Sequence, residues 1–264
     1  MTDSIRYDTI ASRYDETRGG LVRGAGFARD LAGALGDVGG TVVDLGVGTA
    51  AVAQPLRDAG YSVIGVDLSL PMLHHARERL GPAVVQGDAT QLPVRDGAAA
   101  AVTMSWLLQL VADAGAVFAE CRRIVRPGGR IAAIVAQPIE YEPCDMMAIE
   151  RTIGVRLGLP SLDDRAAEGR AAAERAGLRL VDESRTEPQA FEESPAQIVE
   201  RNRQRLFGGL VRLSDDDFAR LVEPALADLL ALPEPERPRR RVHAHPLLVF
   251  ERESGQKRRW TSGR

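Results

Sequence analysis

The apolar positions of the first half of the chain come in short continuous runs, each followed by a stretch of helical spacing. "TVVDLG" (from Thr41), "YSVIGVD" (from Tyr61), "AVVQGD" (from Ala83), "AAAVTMS" (from Ala99) and "RIAAIVA" (from Arg130) read as strands. Between them stand a helix reaching about Ala59, the helix "PMLHHARERL" with Pro71 near its first turn, and the helix "AGAVFAECRRIV", stopped by "RPGG". A helix from Ala28 to Leu35, ended by Gly36, precedes the first strand. Strands that are apolar throughout are buried on both faces, so the alternation predicts an α/β fold: a parallel sheet with helices on both sides.

After Ala136 the rhythm changes. "QPIEYEPCDMMAIERTIGVRLGLPSLDD" is longer than an ordinary connection. The helix "RAAEGRAAAERA" ends at Gly177, and "LRLVDESRTE" is a strand. Two helices follow, "SPAQIVERNRQRLF" and "SDDDFARLVEPALADLLA", with Ser194 and Ser214 at N-cap positions. "RRRVHAHPLLVFER" reads as one last strand. The expected organisation is a single domain over 1–252. It carries an N-terminal helical segment (1–36), insertions at 138–165 and 187–238 that form a lid and acceptor pocket, and a disordered tail (253–264).

Composition narrows the function. The 264 residues carry a net charge of −3, so nothing here is built to neutralise a phosphate backbone, and nucleic acid is not the expected partner. Two cysteines, Cys121 and Cys144, make neither a disulfide framework nor a zinc set, so no metal is expected. The longest uncharged run, about Gly97 to Ala112, is too short to span a bilayer. The polar start shows no signal peptide, and the expected location is the cytoplasm.

The chemistry gathers at strand ends. Asp44, Gly46 and Gly48 end the first strand, Asp67 the second and Asp88 the third. Ligands of open α/β sheets bind outside the carboxyl ends of the strands, so these residues face one crevice. A carboxylate ending the second strand suits a ribose diol, whose two hydroxyls it can accept. The glycines also fit a dinucleotide turn, with Ala51 in the third glycine place. Asp88, in "GD", fits an Asx turn as well.

In order, "VVDLGVGTA", "GVDLS", "GDATQLPV" and "RIVRPGGRI" resemble the motifs of class I S-adenosylmethionine-dependent methyltransferases. The resemblance is to the type 11, small-molecule branch that includes ubiquinone and menaquinone C-methyltransferases. "YDTIASRYDE" is similar to that branch's N-terminal segment, and the resemblance covers about Tyr7 to Val135. It implies a Rossmann-like seven-stranded sheet with the last strand antiparallel, S-adenosylmethionine as cofactor, and O-, N- or C-methylation of a metabolite, secondary metabolism included. It also implies residue roles. Gly46 and Gly48 admit the methionine part, Asp44 orients the loop and meets the cofactor's amino group, and Asp67 takes the ribose. Leu68 and Met72 flank the adenine, Asp88 and Ala89 read its edge, Ser105 lies beside the methionine part, and Tyr14 closes over the site.

Two departures stand out. Ala50 occupies the family's third glycine position. Leu108-Gln109-Leu110 replaces a histidine-bearing turn after the fourth strand, leaving Gln109 as a hydrogen-bonding group. No general base is evident; His243, Glu140, Tyr141 and Gln109 are the candidates at the acceptor side. His74 and His75 are expected on a solvent face, and Arg239, Arg240 and Arg241 on a solvated strand edge. Competing functions are a nicotinamide dehydrogenase, which leaves "GDATQLP" and "RPGG" unexplained, a cofactor-binding relative without methyl transfer, and methylation of RNA or protein.

Overall fold

The computed structural model describes residues 11, 14–15, 19–135, 139–140, 142, 144–159, 162–205, 210 and 213–254, with backbone alone at 139–140 and 162–163. Its first half follows the apolar runs: α1 (Gly20–Leu35), β1 (Thr41–Leu45), α2 (Ala53–Asp58), β2 (Ser62–Asp67), α3 (Leu70–Leu80), β3 (Val84–Gln86), β4 (Ala99–Ser105), α4 (Ala114–Ile124) and β5 (Val125–Ile134). The second half contains β6 (Ile139–Glu140), α5 (Asp145–Arg156), α6 (Leu162–Arg175), β7 (Arg179–Arg185), β8 (Gln189–Glu193), α7 (Pro195–Arg203), α8 (Asp215–Leu221), α9 (Glu223–Leu230), β9 (Arg239–Ala244) and β10 (Pro246–Glu251).

The main sheet has seven strands in the order β3-β2-β1-β4-β5-β10-β7. β1 through β5 pair in parallel, and β10 runs antiparallel between β5 and β7. The order reverses between β1 and β4, which places the ligand crevice at their carboxyl ends. Alternation along each strand feeds two cores. Val43, Leu45, Val102, Met104 and Ile131 pack under α4 and α6 with Phe118, Cys121 and Ala172. Val42, Ala101 and Ile134 pack under α1, α2 and α3 with Phe27, Leu31, Leu56 and Leu73. Each such aliphatic side chain stabilises the fold by about 1.5–3 kcal/mol.

Several elements depart from their expectation, each for a physical reason. α1 begins at Gly20, not Ala28; four glycines weaken its helix signal, yet Gly24 is required, since a Cβ there would lie 1.9 Å from Ala51 O. "RPGG" is an excursion inside β5: Ala99 pairs with Val125 and Ala101 with Arg130. The helix expected from Ser214 onward breaks at Val222, two residues before Pro224, into α8 and α9. The single last strand breaks at His245, because Pro246 has no N–H to continue a ladder. β9 then joins β6 and β8 in a second, three-stranded sheet that the sequence did not foretell. α5, α7, α8 and α9 cover each other around Met146, Ile198, Phe218, Leu226 and Leu229. These insertions leave the main sheet where Leu247 pairs with Ile134 and Pro246 with Arg185, the end that also carries Gly46 and Asp67.

Candidate cofactor site

The turn after β1 uses left-handed backbone at Gly46 (φ 67), Gly48 (φ 55) and Ala50 (φ 63). Gly46 also needs the space: a Cβ would sit 3.1 Å from Leu107 Cδ1. Ala50 holds the same conformation with a methyl that is fully buried, which costs about 1–2 kcal/mol. Ala50 thus holds a left-handed backbone that a glycine would adopt without that strain.

Four amides of this turn are bonded within the protein. Gly46 N–H and Val47 N–H both donate to Val66 O (2.8 and 3.1 Å), Gly48 N–H donates to Asp67 Oδ2 (2.8 Å), and Ala50 N–H to Val47 O (2.8 Å). A pyrophosphate site needs such groups free at the start of a helix. Here four of them are spent on β2, on Asp67 and on the turn itself.

Asp44 is 4% exposed and accepts from Thr103 Oγ1 at 2.7 Å. Burial pushes its carboxyl up to about 7; the Thr103 bond opposes this, and the nearby Asp67 charge adds to it. Asp67 accepts from Gly48 N–H and, through Oδ1, from Ser69 N–H at 2.9 Å. Each carboxylate oxygen keeps a second lone pair, so these bonds leave acceptor capacity for a diol. They also mean that Asp67 holds the turn together; it does more than a carboxylate merely facing an open crevice. Asp88 is exposed and forms the Asx turn, accepting from Thr90 N–H (2.8 Å) and Thr90 Oγ1 (2.7 Å).

The other expected residues are placed as follows. Leu68 is exposed, Ala89 half-buried, and Met72 buried at the start of α3, where its N–H is capped by Ser69. Ser105 Oγ and Gln109 Oε1 are buried with no hydrogen-bond partner among the described residues. Tyr14 is half-buried beside Asp15. Asp15 accepts from Thr49 Oγ1 at 2.6 Å and pairs with Arg79, which also donates to Thr49 O at 2.8 Å. The N-terminal segment is thereby latched onto the glycine turn.

Of the candidates named for the acceptor, Glu140 lies opposite His243 in the β6–β9 ladder, and His243 meets Phe191 edge-on at 4.6 Å. Tyr141 lies outside the described residues. Arg241 is not on a solvated edge: it is 5% exposed and pairs with Glu150 (2.7 Å) and Glu193 (2.9 Å). His74 is exposed and His75 half-buried, away from the strand ends.

Sequence reading missed Thr103, Asp15, Arg79, Trp106 and His245. Thr103 had a signal, as a lone hydroxyl in the apolar run before Ser105. The others meet partners far along the chain, and local periodicity is blind to that.

Residues 43–133 match a family model described as a methyltransferase domain. The chain is 40% identical over 129 residues to a demethylmenaquinone methyltransferase of Beutenbergia cavernae, covering 47% of this chain and 54% of that protein. It is 34% identical over 163 residues to the Thermobifida fusca demethylmenaquinone methyltransferase, covering 58% and 68%. With that exception, the chain spans about half the length of the first curated relatives it matches. A candidate methyltransferase from Bacillus halodurans shares the fold, with a TM-score of 0.58, 16% identity, and coverage of 86% of this chain and 99% of that one. The strand-end carboxylates, the glycine turn and these likenesses agree, and the chain belongs to the class I S-adenosylmethionine-dependent methyltransferases of the ubiquinone and menaquinone type.

Proposed function

We infer that this protein binds S-adenosylmethionine at the carboxyl ends of β1, β2 and β3 and methylates a small-molecule acceptor beneath the inserted helices. The observation that carries the reading is that two carboxylates, Asp44 and Asp67, meet at the strand ends around the glycine turn. A site that gathers negative charge suits a cationic ligand and repels a pyrophosphate. In this reading Asp67 takes the ribose hydroxyls and Asp44 the ammonium end, and Ser105 Oγ at the end of β4 is a buried polar atom for the methionine part.

When bound, the cofactor supplies an electrophilic sulfonium methyl. What the chain must then add is alignment and exclusion of water. Holding two reactants in line contributes about 7–11 kcal/mol. The insertions, rising from the same end of the sheet as the glycine turn, are suited to form the roof of the acceptor pocket. In this reading the acceptor-side groups are sought among the sequence candidates Gln109, His243, Glu140 and Tyr141. The relatives' names point to a naphthoquinol as the first acceptor to try.

Two measurements test this. Calorimetry with S-adenosylhomocysteine and with NAD should show binding of the first alone; a preference for NAD overturns the reading. Incubation with labelled S-adenosylmethionine, a reduced demethylmenaquinone analogue and a panel of phenolic, amine and carbon acceptors should give one methylated product by mass spectrometry. Among the described residues no helix is long and apolar enough to cross a membrane.

A further inference from the structure

β9 and β10 belong to different sheets, yet a single residue, His245, separates them. β7 and β8 part at the same place. Thr186 N–H donates to His245 O at 2.9 Å, and His245 N–H donates to Thr186 Oγ1 at 2.9 Å. Val135 N–H, at the end of β5, donates to Pro246 O at 3.0 Å. The joint between the main sheet and the insertions is thus clamped by backbone bonds. A joint of that kind makes no demand on the side chain, and a small apolar residue would serve.

Instead the joint carries an imidazole, 1% exposed and directed at the end of β4. Trp106 Nε1–H donates to His245 Nδ1 at 3.2 Å, with the rings edge-on at 5.3 Å. Phe27 lies edge-on to both rings, at 4.7 Å from Trp106 and 5.3 Å from His245. The Arg23 guanidinium covers Phe27 and Trp106, and its NH2 lies 3.3 Å from His245 Nε2. An indole N–H can donate and never accept, so Nδ1 is the ring's acceptor nitrogen whenever that bond is made. A neutral imidazole has one such lone pair. Trp106 and Arg23 therefore aim donors at a ring that serves one of them at a time.

Trp106 itself is unusual. It is the first residue after β4 and takes left-handed backbone, φ 58, which a bulky side chain adopts only when its surroundings hold it there. Its N–H is tied to Ile134 O at 2.9 Å. The next residue, Leu107, fills the space beside Gly46. Trp106 thus stands between Leu107, the neighbour of Gly46, and the joint of the insertions, half-buried, at the end of the sheet that carries the glycine turn.

We propose that His245 is a positioning residue for methyl transfer: it holds the Trp106 indole as a wall of the acceptor pocket, and because the same residue joins the insertions to the sheet, roof and wall are set together. The proposal rests on the methyltransferase reading above. A histidine that merely filled the core would affect stability, and its loss would not register in one kinetic constant alone.

The test uses the full chain with four variants. His245→Asn keeps an acceptor oxygen near the place of Nδ1, His245→Leu removes it, Trp106→Phe removes the indole donor, and the fourth combines His245→Leu with Trp106→Phe. Calorimetry gives the affinity for S-adenosylhomocysteine, and labelled-methyl transfer to the acceptor found in the panel gives kcat and KM. His245→Leu should lower kcat about tenfold while S-adenosylhomocysteine affinity stays within about threefold; His245→Asn should regain most of the rate. The double variant should be no slower than the slower single, since both changes break one bond. If His245→Leu does not fold, Trp106→Phe against His245→Asn carries the test: the first slow and the second near wild type is the expected result. Wild-type kcat in His245→Leu or in Trp106→Phe, an Asn variant as slow as Leu, or losses that multiply in the double variant would each overturn the proposal alone. A wild-type protein that transfers methyl to nothing in the panel overturns the functional reading, and this proposal with it.

Discussion

The strand ends and the insertions handle charge in opposite ways. At the ends of β1 and β2, like charges gather: Asp44 is buried, and Asp67 raises its pKa further. In the insertions, opposite charges close a ring: Arg201 pairs with Glu150 (3.1 Å) and Glu193 (2.7 Å), and Arg241 pairs with the same two. The ring ties α5, α7, β8 and β9 together. One region stores unfavourable electrostatics that a cationic ligand relieves; the other uses charge to hold its own elements in register. The difference teaches that a ligand site can be recognised by where a protein leaves charge unbalanced.

The strongest way to break this comparison is Asp44→Asn. The Asp44 carboxyl titrates near 7 when folded, against an ordinary 3.8. Its contribution to stability is present below about pH 4 and is lost as the pH rises through 7, because the unfolded chain ionises more readily. The amide keeps an oxygen for Thr103, so thermal or urea unfolding at pH 8 should show a gain of about 2–4 kcal/mol. The same variant should lose cofactor affinity. In the wild type, S-adenosylhomocysteine should bind about tenfold more tightly at pH 8 than at pH 6, as Asp44 becomes ionised. A pH-independent affinity, or a destabilised Asp44→Asn, would mean that the buried charge is not held for a ligand.

Arg241→Met tests the other region. It leaves Glu150 and Glu193 with Arg201 as their remaining ring partner and should cost about 3 kcal/mol in urea unfolding. Cofactor affinity should stay within about threefold, because the ring lies outside the strand ends. A matching loss of affinity would show that the two regions are not separable.

Asp67→Ala should weaken S-adenosylhomocysteine binding about 30- to 150-fold, for roughly 2–3 kcal/mol of lost charged hydrogen bonds. Since Asp67 also caps Gly48 and Ser69, a modest fall in melting temperature should accompany it. Unchanged calorimetric affinity would reject the assignment. The smallest effect is expected at Ala50→Gly. Relief of about 1–2 kcal/mol of backbone strain is offset by about 0.5–1 kcal/mol of extra chain entropy, leaving a gain of about 0.5–1 kcal/mol. A clear loss in denaturant titration would show that the buried methyl outweighs the strain.

Much of this molecule was legible before any coordinates. Strands and helices through Ile134 were readable because apolar runs and helical spacing are local properties of the backbone, and a strand-end Asp or Gly is visible beside the run it ends. Prolines decided where local reading failed: Pro224 and Pro246 split elements whose hydrophobic pattern runs straight through them. Short β6 and β8 gave no signal, since strands of a few residues gain their hydrogen bonds from partners remote in sequence. By itself, then, the sequence determined the doubly wound half of the sheet and the three acidic strand ends. The tertiary structure decided what those residues do. It tied Gly46 and Val47 N–H to β2 and Gly48 N–H to Asp67, set Thr103 against Asp44 across 59 positions and Trp106 against His245 across 139, and closed the Arg–Glu ring. The reason is that hydrogen bonds and ion pairs between distant segments leave no periodic trace; they exist only once packing of the apolar faces has brought their backbones together.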